Sequence, residues 1–330
     1  MAVVPPRDYR ASCVAFLHIP KTGGTTLTQW LDKKKGGGVI GAFFKYGWAR
    51  CFFYMHRDVF PEYDTSAVET ACKSLATRWH NSTVAVEFHS YTAGQFWSLL
   101  MARAPLLQSR YRRGGGTFIS TTLLRRPREH IISEYMYGKP ANLTAMRQAQ
   151  PLPDYLKNDI WQNARAGYTT ASSELYLGQS SGIQHRYLSW PDRDYVTRAG
   201  STYQVRASLT FADMCNTKLA LSQLEKLDIV CWLDNVTDLA LAIRQRLGAP
   251  LAKRRGVLPI LNAMSAYNSS SDTPAGRMRH EEVTLWHSRL RSEAASSPVG
   301  GYSRTDLQRL LDDAARCDEQ LRDFSKGCGV

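Results

Sequence analysis

The sequence predicts an α/β protein: a central, mostly parallel sheet flanked by helices in a three-layer sandwich. Two observations predict it. Short apolar runs at 14–19, 84–88, 117–124 and 228–233 each lead through a turn into a helix-like segment, which is the pattern of βα units. The chain's 330 residues, 43% of them hydrophobic, also suffice for a sizeable core. The reading is one domain over residues 1–330, with 1–12 as a disordered N-terminal segment.

The first unit organises the rest. Val14–Ile19 reads as a buried strand, Pro20 cuts it, and Lys21-Thr22-Gly23-Gly24-Thr25-Thr26 leads into a helical 27–34. Free backbone N–H groups and the dipole at a helix N-terminus favour an anion. Lys21 adds a mobile charge, Gly23 and Gly24 allow a tight turn, and Thr22, Thr25 and Thr26 add hydroxyl donors. A Walker loop places its Lys after the glycines, whereas here the Lys comes first, so a different phosphate-bearing ligand is implied. A tight loop with no ligand has much the same composition.

Next, Lys35–Gly38 ends the helix and opens an aromatic section with Phe43, Phe44, Tyr46, Trp48, Phe52, Phe53 and Tyr54. Such a cluster suits a glycan platform, although core packing is the commoner use of aromatic rings. Residues 69–79 read as a helix. The strand at 84–88 then delivers His89 at its C-terminal end, ahead of a helical 92–101. Open α/β sheets bind ligands at strand C-termini, and an imidazole there suits a general base. His56 and Glu87 are the rival candidates.

Arg110–Gly116 reads as a basic loop. The β-branched run 117–124 follows, ending in Arg125-Arg126-Pro127-Arg128 and a helix over 129–137 that carries Ser133. An Arg fork grips phosphate bidentately, and a Ser hydroxyl on the following helix adds a donor. Residues 139–153 read as a linker. Gln184 and Arg186 stand in a segment that suits either ligand contact or an exposed polar face. A βα unit at 228–247, a loop at 258–271 and an amphipathic helix over 305–324 packed on the core complete the chain.

The formal net charge of +13 predicts attraction to polyanions or acidic substrates. No nucleic-acid-binding motif accompanies it, so nucleic acid is not the expected partner. The seven cysteines form no C-x-x-C pair, which argues against a zinc site. Cys13 and Cys231 read as small buried hydrophobes; Cys317 and Cys328 read as disulfide candidates, with Cys215 a further one. Sequons at Asn81, Asn142, Asn235 and Asn268 lean toward a secretory compartment. No apolar run is long enough to span a membrane.

The string Phe16 to Leu27, with Lys-Thr-Gly-Gly-Thr-Thr after His-Ile-Pro, resembles the 5′-phosphosulfate loop of Golgi carbohydrate sulfotransferases, most of all the heparan sulfate 6-O-sulfotransferase family. Leu123 to Tyr135 resembles that family's 3′-phosphate motif, and Gln184 to Leu188 shares its Gln-x-Arg-x-Leu spacing. The resemblance implies a P-loop-like sulfotransferase fold and a donor, 3′-phosphoadenosine 5′-phosphosulfate (PAPS), that leaves as PAP without a metal. It assigns Lys21 to Thr26 to the 5′ side and Arg125 and Ser133 to the 3′-phosphate. His89, 34 residues before Leu123, would be the base; Glu87, His56, Gln184 and Arg186 are carried as acceptor-side candidates.

Two departures stand out: Arg126 where the family has Asp, and His130 where it has Arg. The resemblance implies an acceptor hydroxyl on an anionic glycan and a Golgi-lumenal catalytic domain, anchored only by a segment outside this chain. The alternatives are a soluble cytoplasmic relative, a sulfotransferase for tyrosine or another alcohol, a P-loop small-molecule kinase, and a non-catalytic polyanion-binding module.

Overall fold

The apolar run at the start of the chain forms β1 (Cys13–His18), all six residues buried, and the sheet grows outward from it on both sides. The computed structural model describes residues 11–31, 40–44, 48–76, 79, 82–89, 93–137, 152–157, 182–189, 195–197, 203–205, 215–249 and 303–328. Five strands pair in the order β2 (Ala42–Phe44), β3 (Val84–His89), β1, β4 (Phe118–Leu124), β7 (Ile229–Trp232), every pair parallel. Two further strands, β5 (Tyr195–Thr197) and β6 (Tyr203–Val205), form a separate antiparallel pair. The chain leaves β1 for the edge at β2, returns through β3, then crosses to β4 and β7 beyond β1. The connections after β1 and β3 therefore lead in opposite directions, the arrangement beside which open α/β sheets bind ligands at the carboxyl ends of their strands.

Side-chain alternation assigns the two faces. Cys13, Ala15 and Leu17 join Val86, Phe88 and Leu124 against helices α2 (Ala49–Met55), α4 (Ala102–Arg113) and α7 (Thr217–Lys226). Val14, Phe16, Ala85, Ile119 and Ile229 pack on the other face, against Leu27 of α1 (Gly24–Leu31) and Val236, Leu239 and Ile243 of α8 (Val236–Arg246). Both faces are covered, which is why the strands read as apolar runs rather than alternating ones. Each large side chain so buried stabilises the fold by roughly 1.5–3 kcal/mol.

Several expectations change. Helix α1 begins at Gly24, so Gly24, Thr25 and Thr26 are its first turn rather than a loop before it. The basic stretch from Arg110 is the last turn of α4, where three arginines face the negative end of the helix dipole. Pro105 lies inside α4, and its ring faces residue 101, the end of a π-helical stretch Phe96–Met101. Of the helix expected over 69–79, Glu69–Lys73 forms α3, a turn follows at Ser74 and Leu75, and Ala76 and Trp79 are again helical, Trp79 N–H donating to the Leu75 carbonyl at 3.0 Å. The aromatic section is core: Phe52, Phe53, Phe60, Phe88 and Trp79 meet largely edge to face, while Trp48 is exposed. Ala11 and Ser12 are ordered, since the Ser12 carbonyl accepts from Val84 N–H at 3.0 Å.

The cysteines bear out Cys215, Cys317 and Cys328 as disulfide residues and depart from the reading at Cys231. Cys231 is not a free thiol but bonds Cys328, Cys215 bonds Cys317, and Cys51 on α2 bonds Cys72 on α3. Cys13 is free and buried, its thiol pushed up to about 12 by burial, so it is inert.

The C-terminal helix α9 (Arg304–Glu319) starts with a capping box of Ser303 and Asp306. It packs, as expected, on a buried core, formed with helix α5 (Pro127–Tyr137) and residues 152–157 through Leu307, Leu311 and Ala315, and it ends at Glu319, after which Leu321 joins the main sheet core. Beyond it, Lys326 pairs antiparallel with Val230, covering the outer edge of β7. The loop at 258–271, most of 139–153, and sequons Asn81, Asn142 and Asn268 lie outside the described residues; Asn235 is exposed. Among the described residues no helix is long and apolar enough to cross a membrane.

Candidate active site

The two strand-to-helix turns singled out by their basic residues emerge at the same sheet edge, on neighbouring strands β1 and β4. The first turn is tight. Lys21 has φ +62°, a left-handed conformation that few non-glycine residues adopt. Gly23 has φ +92°, and a β-carbon there would lie 2.2 Å from Leu233 Cδ1. Thr22, expected as a phosphate donor, is buried, and its hydroxyl donates to the Ile19 carbonyl at 2.8 Å. It closes the turn instead. Thr25 is exposed, Lys21 and Gly23 half-buried, and Thr26 buried in the first turn of α1.

The second turn holds the first. Arg125 Nη1 donates to the Lys21 carbonyl at 3.0 Å, and His130 Nε2–H donates to the Pro20 carbonyl at 2.6 Å. The Arg125 side chain is 22% exposed. Burial draws its pKa down from the ordinary value, partly offset by Glu129 and Asp234. Arg126 turns outward to Asp234 at 2.8 Å, an exposed pair of little energetic weight. Ser133 is half-buried on α5.

Gln184 and Arg186 are not on an exposed polar face: both are wholly buried on α6 (Ile183–Leu188), with His185 between them. The Gln184 amide is engaged by protein. Its Oε1 accepts from Arg125 N–H at 2.9 Å, and its Nε2 donates to the Arg125 carbonyl at 2.8 Å. Gln184 is thus a two-point clamp on the Arg125 backbone rather than a ligand contact. Asp318 in turn accepts from the backbone N–H groups of Gln184 and His185 and from His185 Nδ1, at 3.2, 2.9 and 3.0 Å. Burial opposes its ionisation, yet the bonds from His185 hold its carboxyl below the ordinary range.

His130 carries a pH signature. Its ring is fully buried, and burial foremost lowers its pKa to about 4. In the unfolded chain a histidine titrates near ~6.5. Between these values the unfolded state binds the extra proton, so stability falls as pH falls from ~6.5 toward ~4. This residue alone is expected to remove up to about 3 kcal/mol across that window. Urea denaturation at pH 7 and pH 4 would read it, and His130→Gln, which keeps a donor for Pro20, should flatten that component.

On the other side of β1, the last register pair with β3 is His18 opposite His89. Their rings meet edge to face, centroids 4.6 Å apart. Glu87, two residues before His89 and on the same face, accepts a short hydrogen bond from His18 Nδ1. His56 does not join them. It is buried among Phe52, Trp79 and Tyr111, with Nδ1 bonded to the Phe52 carbonyl and Nε2 to the Tyr111 hydroxyl, both at 2.8 Å. Its role is to satisfy polar groups in the core.

The structure therefore gathers Lys21, Gly23, Gly24, Thr25, Arg125, Glu87 and His89 along three adjacent strand ends and leaves out His56. Sequence reasoning passed over His18, Asp318 and His185. His18 was legible from parity, since Phe16 and His18 repeat the two-residue spacing of Glu87 and His89. Asp318 and His185 carry no local signal, because their pairing spans 133 residues. Among the described residues no three His, Cys, Asp or Glu side chains gather as a metal-binding group. Comparison with protein-family models, with curated proteins and with solved structures finds no match in any of the three.

Proposed function

We propose that this chain is a sulfotransferase that moves a sulfuryl group from PAPS to an acceptor hydroxyl, with an anionic glycan as the acceptor class, on a P-loop-like sulfotransferase fold. One observation carries the reading: two basic turns on neighbouring strands are tied together by the Arg125–Lys21 hydrogen bond, one strand from His89. A donor with phosphate at both its 3′ and 5′ positions needs two such grips. The residues suit it: the eight-residue helix α1 aims its N-terminus at the turn, Lys21 and Thr25 reach the surface there, and the Arg125 guanidinium is partly open.

When bound, PAPS supplies the sulfuryl group: a sulfur–oxygen bond to the acceptor forms as the one to the 5′-phosphate breaks, the electron pair staying on the phosphate oxygen. Lys21 and the first turn of α1 stabilise that negative charge. His89 takes the acceptor proton, a role worth roughly 10²–10⁴ in rate. Arg125 and Ser133 orient the donor through its 3′-phosphate, away from the reacting atoms. The net charge of +13 favours an anionic acceptor, and three disulfides suit an oxidising compartment such as the Golgi lumen. Incubation with radiolabelled PAPS and a panel of polysaccharides, tyrosine peptides and small alcohols tests it. Label is expected on a polysaccharide; transfer to peptides or alcohols alone would overturn the glycan assignment.

A further inference from the structure

Beneath the first turn lies a group that this mechanism has not used. His18 is 8% exposed, and its ring sits flush under Gly24. A β-carbon at Gly24 would lie 2.3 Å from His18 Nε2, 2.4 Å from Cδ2 and 2.6 Å from Cε1. No rotation of a β-carbon relieves three such contacts, so any side chain at 24 displaces the ring. Gly24 is thus required by His18, whereas Gly23 is required by its own backbone angle. On its other edge the ring donates through Nδ1 to Glu87, whose second oxygen, Oε2, is buried with no hydrogen-bond partner among the described residues. Burying a carboxylate with one oxygen unpaired is costly, and a fold gains nothing from it that an apolar residue would not supply.

The third neighbour of the ring is His89. Parallel register sets the two histidines side by side at the strand ends, and Phe16 stacks beneath His18 with centroids 5.4 Å apart. The His18 ring is therefore fixed by Phe16 below, Gly24 above and Glu87 at Nδ1, and it presents a rigid surface to His89.

We propose that His18, locked by Glu87 and seated under Gly24, is a positioning residue that fixes the ring of His89 for proton transfer and ties it to the phosphate-holding turn. This rests on the sulfotransferase reading above. It assigns Glu87 to orienting His18 rather than to taking the acceptor proton. It also sets Gly24 and the base against one ring, so that a side chain at position 24, by displacing the ring, would disturb the base.

The test compares wild type with His18→Ala, His18→Asn, Glu87→Gln and His89→Ala. PAP binding is measured by calorimetry, transfer from PAPS with desulfated heparin as the acceptor probe, and the His89 ring environment by NMR. His18→Ala is expected to bind PAP as wild type does, with KM for PAPS unchanged and kcat down ~10²-fold, the cost of misplacing a reacting group. His18→Asn keeps a donor for Glu87 but lacks the ring, so it should fold like wild type yet remain slow. Glu87→Gln should be partly active, because its amide oxygen still accepts from Nδ1. The His89 ring resonance should shift in both His18 variants. Wild-type kcat in His18→Ala, or an unmoved His89 resonance, would overturn the proposal. Failure of wild type to bind PAP would instead overturn the donor reading, and the NMR comparison would still decide whether His18 orders His89.

Discussion

His89→Ala is expected to fold and to bind PAP as the wild type does, while losing roughly 10²–10⁴ of its turnover. His89 ends β3, whereas the groups assigned to the donor's phosphates leave β1 and β4. Its ring is half-buried at the strand end, whereas Phe88 before it is buried in the core on the opposite face of the sheet. His56→Ala should behave in the opposite way. That ring bonds both the Phe52 carbonyl and the Tyr111 hydroxyl inside the core, and losing these two buried side-chain hydrogen bonds costs about 1–3 kcal/mol, even though the Phe52 carbonyl keeps the His56 backbone N–H. Thermal denaturation and transfer kinetics on the two variants separate the roles: one should lose rate without stability, the other mainly stability.

Replacing Cys215 and Cys317 together by Ser is expected to lower stability by roughly 3–4 kcal/mol, the chain-entropy value for the loop of about 27 residues that remains between them while the overlapping Cys231–Cys328 bridge is intact. That is a large share of a typical stability of about 5–15 kcal/mol. Its effect reaches the proposed donor site by a chain of named contacts. Cys317 precedes Asp318, Asp318 holds the first residues of α6, and Gln184 there clamps the backbone of Arg125. The double variant should therefore also weaken PAP binding, even under conditions where it stays folded. Calorimetry at low temperature reads the second effect and urea denaturation the first. Undiminished PAP affinity in the folded variant would show that α9 does not support the donor grip.

Four strands were legible because both faces of a parallel sheet are covered, so they read as apolar runs; the three-residue edge strand β2 was hidden in the aromatic section, and β5 and β6 were not read. The two basic turns were legible because Gly-Gly and Arg-Pro punctuate those runs. Long-range satisfaction was not. Nothing near Gln184 announces that its amide closes on Arg125, 59 residues earlier in the chain. Nothing near Thr22 announces that its hydroxyl turns back to Ile19 rather than out to a ligand. Helix ends were misplaced for a related reason. Arg110, Arg112 and Arg113 look like a basic loop in composition, yet arginine is a good helix former and suits a C-terminal turn. Cys231 reads as a core residue because its strand is apolar; only the return of the tail beside β7 brings Cys328 to it.

The central claim is that Lys21 to Thr26 and Arg125 to Ser133 are two grips on one doubly phosphorylated donor. Calorimetric titration of the wild-type protein with PAP in the presence of EDTA tests it most directly, with Arg125→Ala and an ATP–Mg²⁺ titration alongside. Saturable one-to-one binding of PAP without divalent metal, weakened in Arg125→Ala, is the predicted result. Binding of ATP only with Mg²⁺ and none of PAP would contradict it and point to a kinase, and binding of neither nucleotide would contradict it as well.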